Sequence, residues 1–272
     1  MIDTFTTSVA PALPTQGDVP ALLRSGSDDG FLLVRGLHPL LYATHDGAAT
    51  WHRSGLHGVL ALATADSAVY AVTARCSQRG CTHFRFARAS ASGGAWTVTR
   101  LPFVPDGSVL DLAARGTGVW LLGTRAGVEA AQHDVLARST DGGRTFTTGP
   151  GPCVPGLGGE LEPTSGGTVW AVCPTGMEAG AWRSTDGGVQ FAPLRTPALV
   201  NSAELAPSSP DAAALVGNGS PDRILHTADA GKTWTVATTP RRASFVPWLE
   251  FVDAKVGYAL VETYPNGPPA SQ

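Results

Sequence analysis

The sequence predicts an all-β chain, a six-bladed β-propeller of four-stranded antiparallel blades, and three observations carry that expectation. Helical periodicity with caps is almost absent, while short β-prone runs such as Val119-Trp120-Leu121-Leu122 and Val169-Trp170-Ala171-Val172 stand between Gly, Asp, Ser and Pro. An eight-residue segment recurs as THDGAATW at 44–51, ASASGGAW at 89–96, STDGGRTF at 139–146, STDGGVQF at 184–191 and TADAGKTW at 227–234. The copies start 45, 50, 45 and 43 residues apart, the length of a four-stranded blade.

Each unit reads the same way: two short strands, a variable loop, a third strand that enters the segment, and a fourth that leaves it. Blade one covers residues 18–55 and blade two 56–101, where Ala91 replaces the segment's Asp. Blade three, 106–150, shows the pattern most clearly, with Val109-Leu110-Asp111-Leu112 followed by Val119-Trp120-Leu121-Leu122. Blade four is 158–195 and blade five 201–239. Blade six begins with Trp248-Leu249-Glu250-Phe251-Val252-Asp253 and Val256-Gly257-Tyr258-Ala259-Leu260-Val261 and covers 246–272. It lacks an outer strand. Asp3-Thr4-Phe5-Thr6-Thr7 matches the fourth strand Arg144-Thr145-Phe146-Thr147-Thr148, so residues 1–10 are expected to complete blade six and remove an open sheet edge. Pro265, Pro268 and Pro269 oppose regular pairing in the third strand of that blade. The whole chain, 1–272, is thus read as one domain.

The recurring segment suits a tight turn. Its Asp accepts backbone N–H bonds, its Gly supplies φ > 0, and its aromatic packs back on the sheet. Asp46, Asp141, Asp186 and Asp229 are the carboxylates in question. These segments resemble the Asp-box, S-x-D-x-G-x-T-W, of the sialidase-type BNR-repeat propellers, a group similar in sialidases, sortilin-type receptors, some xyloglucan hydrolases and Ycf48-type assembly factors. The copies at 139–146, 184–191 and 227–234 keep Ser or Thr, Asp, the motif Gly and the aromatic, and that at 44–51 carries Ala48 in place of the Gly. The resemblance implies turns between third and fourth strands, at the blade periphery and away from the ligand face. It names a fold and not an activity.

Composition narrows the function classes. The chain has 272 residues, 33 Gly, 21 Pro, 43% hydrophobic and 15% charged residues, and a net charge of −3, which fits a folded protein and not a low-complexity one. No apolar run is long enough to span a membrane, and Pro11 breaks the stretch Val9 to Leu13. Lys occurs only at Lys232 and Lys255 and the Arg residues are scattered, so nucleic acid is excluded as a partner. Cys76 with Cys81 and Cys153 with Cys173 are expected as two disulfides, against alternatives of free thiols or a zinc site that lacks C-x₂-C spacing. An exported, extracellular or cell-envelope protein follows, monomeric and with its leader removed.

Only seven Glu occur in the chain, and aligning the first strands of the blades places three of them, Glu162, Glu204 and Glu250, in one column with Asp111, with Ala61 and Arg24 at the equivalent positions of blades two and one. Crowded carboxylates must be protonated, paired, or ion-bound. They are therefore either structural, a site for a cation or amine, or the acid and nucleophile of a glycosidase. Loop residues Arg24, Arg79, Arg125, His133, Arg241, Arg242, Trp248 and Tyr264 are candidate ligand contacts, with Glu160 among the residues between blades. The resemblance implies, for active sialidases, three Arg from separate blades, an F/Y-R-I-P segment and a Tyr nucleophile with a Glu partner. Here Arg24 lies in Leu23-Arg24-Ser25, no R-I-P occurs, and Tyr264 with Glu250 makes no assignable triad. The reading is a propeller that binds a glycan, small molecule or protein at its central channel face, with no cofactor and no metal. A glycoside hydrolase is the alternative, and an enzyme acting on a cationic small molecule the second alternative.

Overall fold

The computed structural model describes residues 21–36, 39–127, 134–200, 203–217, 223–238, 245–251, 253 and 255–262. Its first sheet holds β1 (Ala21–Arg24), β2 (Gly30–Val34), β3 (Leu40–Thr44) and β4 (His52–Arg53) in that order. The second holds β5 (Val59–Ala65), β6 (Ala68–Ser77), β7 (Gly80–Ser90) and β8 (Thr97–Arg100), and the third β9 (Pro105–Arg115), β10 (Gly118–Arg125), β11 (Val135–Ser139) and β12 (Thr147–Pro150). In the fourth, β13 (Glu160–Pro163), β14 (Val169–Pro174), β15 (Glu178–Ser184) and β16 (Ala192–Pro193) are joined by β17 (Leu199–Val200), which pairs with β15. The fifth holds β18 (Ala203–Pro207), β19 (Ala213–Gly217), β20 (Arg223–Thr227) and β21 (Thr235–Thr238). Last comes a pair, β22 (Phe245–Phe251) and β23 (Gly257–Glu262).

The all-β class and the antiparallel four-stranded unit are as expected. The described residues contain five complete blades and a two-stranded sixth sheet in place of six full blades. Both missing strands of the sixth, after Glu262 and at Asp3 to Thr7, fall outside the described residues.

Two compact units divide these sheets. Unit one draws on residues 1–107, 112–120 and 139–147, and unit two on 108–111, 121–138 and 148–272. Second strands are the hydrophobic heart of each: β2, GFLLV, and β19, AALVG, are buried at every position. In unit one Phe31, Leu33, Leu41, Val59, Leu62, Val69 and Ala87 form one cluster, with Trp96 against it. In unit two Trp170, Val172, Leu199, Leu205, Leu215 and Leu225 form another, capped by Trp234. Trp170 is fully buried, and its removal to Ala carries a typical cost of about 3–5 kcal/mol.

The repeated turns lie between third and fourth strands as expected. Asp46, Asp141, Asp186 and Asp229 each accept the hydroxyl of the Ser or Thr two residues before, at 2.7–2.9 Å. Each also accepts the backbone N–H four residues on, at 2.9–3.0 Å. Thr50, Thr145 and Thr233 add a hydroxyl bond to the second carboxylate oxygen. These bonds pull the carboxyls down, Asp46 and Asp229 to about 2. A further bond ties each turn to the hairpin that opens its blade: the amides of Gly47, Gly142, Gly187 and Ala230 donate to Asp28, Thr117, Gly167 and Asp211 carbonyls at 2.8–3.0 Å.

Both expected disulfides are present, Cys76–Cys81 and Cys153–Cys173. The first joins directly paired residues of the β6–β7 hairpin. The second fixes the loop before β13 to β14.

Candidate functional site

The carboxylates of the inner strands in unit two are the most unusual chemical grouping in the chain. Their true register can be read from the pairing, taking the turn Ser or Thr as the ruler. Pro163 pairs with Val169 and Val169 with Ser184; Pro207 pairs with Ala213 and Ala213 with Thr227. Leu161 is therefore level with Leu205, and Glu160 with Glu204. The column aligned from sequence is corrected here: Glu162 is level with Ala206, and Arg24, opposite Gly30 and hence Thr44, is level with Pro163. Ala61 does fall level with Glu160 and Glu204. Side chains alternate with period two, so a slip of two residues leaves every face unchanged and is silent in a hydrophobic pattern.

This register shows a ladder. Asp111 Oδ2 accepts the Leu161 N–H at 2.8 Å, and Glu160 accepts the N–H of Leu205, the same position one blade on. Glu160 and Glu162, two residues apart on one face of β13, hydrogen-bond through their side chains. Burial, then repulsion from Glu162, Glu204 and Asp111, holds the Glu160 carboxyl well above the usual range. Burial and the charges of Asp111 and Glu250 push Glu162 up to about 8, and burial pushes Glu204 up to about 7. Glu250 rises for the same reason, although its side chain is exposed. Burial and mutual repulsion therefore favour the protonated forms of Glu160 and Glu162, which share a hydrogen bond. No cluster of three or more His, Cys, Asp or Glu among the described residues is arranged to hold a metal ion.

The remaining described candidates belong to separate elements of the two units. Arg24 ends β1, exposed, with Nε donating to the Gly26 carbonyl at 2.5 Å. Arg79 is at the tip of the β6–β7 hairpin, and Arg125 ends β10, both exposed. Trp248 on β22 is 44% exposed. His133, Arg241, Arg242 and Tyr264 lie outside the described residues. Asp134, next to His133 in the chain, is 1% exposed and accepts the Thr124 hydroxyl at 2.7 Å. Its role is to hold the loop carrying Cys153, whose carbonyl takes the Asp134 N–H at 3.0 Å. Glu160 is the residue that sequence reasoning undervalued, placing it on the rim; its i, i+2 spacing from Glu162 was the available signal.

No family model matches the chain, and no curated protein matches it by sequence. Among solved structures, the chain is similar to one in a nidogen/laminin complex, at 15% identity over 89% of this chain and 86% of that one, with TM-score 0.52. It is also similar to a GH74 enzyme of Niastella koreensis, at 16% identity over 78% of this chain but 36% of the enzyme, with TM-score 0.51. A YCF48 solved with a D1 peptide aligns over 94% of this chain and 96% of its own at 16% identity, with TM-score 0.47. At such identities likeness speaks for fold alone. Four-stranded antiparallel blades repeated along the chain, and the two likenesses above 0.5, make this protein a β-propeller.

Proposed function

We propose that the chain is an exported Asp-box propeller of six blades that acts as a binding module and not as a hydrolase. One observation carries this reading: Asp111, Glu160 and Glu162, three of the inner-strand carboxyls of unit two, are engaged with the fold or with one another. Asp111 is occupied by the Leu161 amide, Glu160 by the Leu205 amide, and Glu160 with Glu162. A glycosidase needs one carboxylate ionised and one free acid, with room between them for a sugar. Recognition then falls to exposed side chains, Arg79 at a hairpin tip, Arg125 at the end of β10 and Trp248 on β22, with Arg241, Arg242, His133 and Tyr264 as the further candidates. A protein partner is favoured, in line with the propeller-like chain of the nidogen/laminin complex. Two disulfides support an oxidising compartment, and no described helix is long and apolar enough to cross a membrane. The sixth blade is the β22–β23 sheet, completed by residues 1–10.

A glycoside hydrolase is the second reading. Glu162 at about 8 and Glu204 at about 7 hold protons in the range of a general acid, and the GH74 enzyme shares the fold. A panel of aryl glycosides separates the two. The binding reading expects no turnover by the wild-type chain; turnover that disappears in Glu162→Gln or Glu204→Gln would establish the hydrolase in its place.

A further inference from the structure

A cleft of about 490 Å³ opens in unit one on the side of the repeated turns, beside the blade whose turn has lost its Asp. In blade two the position of that Asp is Ala91, 1% exposed, and the turn closes on a bond between the Ser90 and Ser92 hydroxyls at 2.9 Å. Asp66, Tyr70, Arg88, Ser90, Gly142 and Arg144 line the space next to it. Tyr70 and Arg88 are paired directly across β6 and β7, so both side chains stand on one face. The Tyr70 ring is 3% exposed and stacks on Phe86 at 6.1 Å, and Phe86 meets the Phe146 edge at 5.1 Å. That packing fixes where the phenol hydroxyl points.

It points at a glycine. A Cβ on Gly142 would lie 3.4 Å from the Tyr70 hydroxyl and 3.7 Å from Arg144 Nη1, and the residue's φ of +69° disfavours any side chain there. Hydroxyl and guanidinium therefore converge on a spot that the backbone keeps empty. Arg144 is held in place by its Nη1 bond to the Asp141 carbonyl at 2.7 Å. Neither Arg88 nor Arg144 forms an ion pair among the described residues. Asp66 is the one carboxylate among the lining residues against these two guanidiniums, so the lining keeps an excess of positive charge, and the planar fork of Arg suits an oxyanion.

We propose that this cleft binds a small ligand through an oxyanion group, carboxylate, sulfate or phosphate, held between Arg88 and Arg144 with the Tyr70 hydroxyl as third donor. Its lining residues all belong to unit one, and none of them is among the candidate contacts named above. A cavity of this volume is in the range of small-molecule pockets. The electrostatics agree: burial raises the Tyr70 hydroxyl, Arg88 and then Arg144 lower it, and the Asp66 carboxylate raises it as the last contribution.

Calorimetric titration of the full chain with sodium sulfate, inorganic phosphate and citrate, at constant ionic strength, tests the site and separates tetrahedral from planar anions. Saturable binding to at least one is expected, weakened about tenfold by Arg88→Gln or Arg144→Gln, a few-fold by Tyr70→Phe, and unchanged by Arg195→Gln, an exposed arginine outside the cleft. A second readout follows the Tyr70 phenol by its ultraviolet absorbance, with Tyr70→Phe as the blank. An anion concentration that saturates the wild-type chain is expected to move its ionisation to higher pH, and Arg88→Gln is expected to need about tenfold more anion for the same shift. Absence of saturable heat with all three anions, or equal binding by folded Arg88→Gln and Arg144→Gln, overturns the proposal.

Discussion

Glu162 sits where a charge is unwelcome, and this gives the chain an unusual pH response. Its folded pKa, about 8, lies above its ordinary value of 4.5, so the folded state holds a proton that the unfolded state has released. Stability from this group is fully present below 4.5 and is lost as pH rises through 8. Glu162→Gln is therefore expected to leave stability near pH 4.5 little changed and to raise it at pH 8.5, on the order of 1–3 kcal/mol after its partial exposure is discounted. Denaturant unfolding at the two pH values checks this. The turn carboxyls work in the opposite sense. Asp46 and Asp229, lowered from 3.8 to about 2, favour the fold above 3.8, and their contribution fades as pH falls through 2. Ala48 offers a simpler test, since it holds φ of +70° where Gly143, Gly188 and Gly231 occupy the matching turns. Ala48→Gly is expected to stabilise the chain by roughly 1 kcal/mol, read from its thermal midpoint. Much of this was legible from sequence, because the turn residues have local jobs. The Glu160–Glu162 pair was not, since its effect comes from burial and from neighbouring blades.

At the level of strands, class and pairing order followed from pattern while register did not. The alternation in Leu161-Glu162-Pro163 and Ala203-Glu204-Leu205 marks which residues share a face, yet it places Glu204 level with Glu162 as readily as with Glu160. Only the hydrogen bonds from Ser184 and Thr227 back through β14 and β19 decide between them. The disulfides are a feature of the same scale with unequal weights. Cys76 and Cys81 are 5 residues apart and staple a hairpin already paired, whereas Cys153 and Cys173 close 20 residues. Replacing both Cys153 and Cys173 by Ala is expected to cost about 2–4 kcal/mol, and replacing Cys76 and Cys81 clearly less, measured by urea unfolding without reductant.

For the whole molecule, the period of the repeat conveyed how many units to expect, and five of them are complete among the described residues. Closure of a sixth blade by residues 1–10 is the part of the reading that rests on a sequence match alone, Asp3 to Thr7 against Arg144 to Thr148. Deleting residues 1–10 is expected to lower the thermal midpoint by several degrees if that strand pairs with β22–β23, and an unchanged midpoint would rule the closure out. Function was the least legible property. Loop residues converge by long-range contact, and the cleft at Tyr70, Arg88 and Arg144 gathers side chains from two blades that no spacing in the chain foretells.

The bond from each repeated turn to the hairpin that opens its blade has a kinetic meaning. It joins residues about 20 apart, Gly47 to Asp28 or Gly187 to Gly167, so each blade is bolted from first strand to last by contacts close in the chain. A blade is then a cooperative opening unit in its own right. The amides of Gly47, Gly142, Gly187 and Ala230, though in surface turns, should exchange with deuterium as slowly as the buried strands of their blades, and together with them.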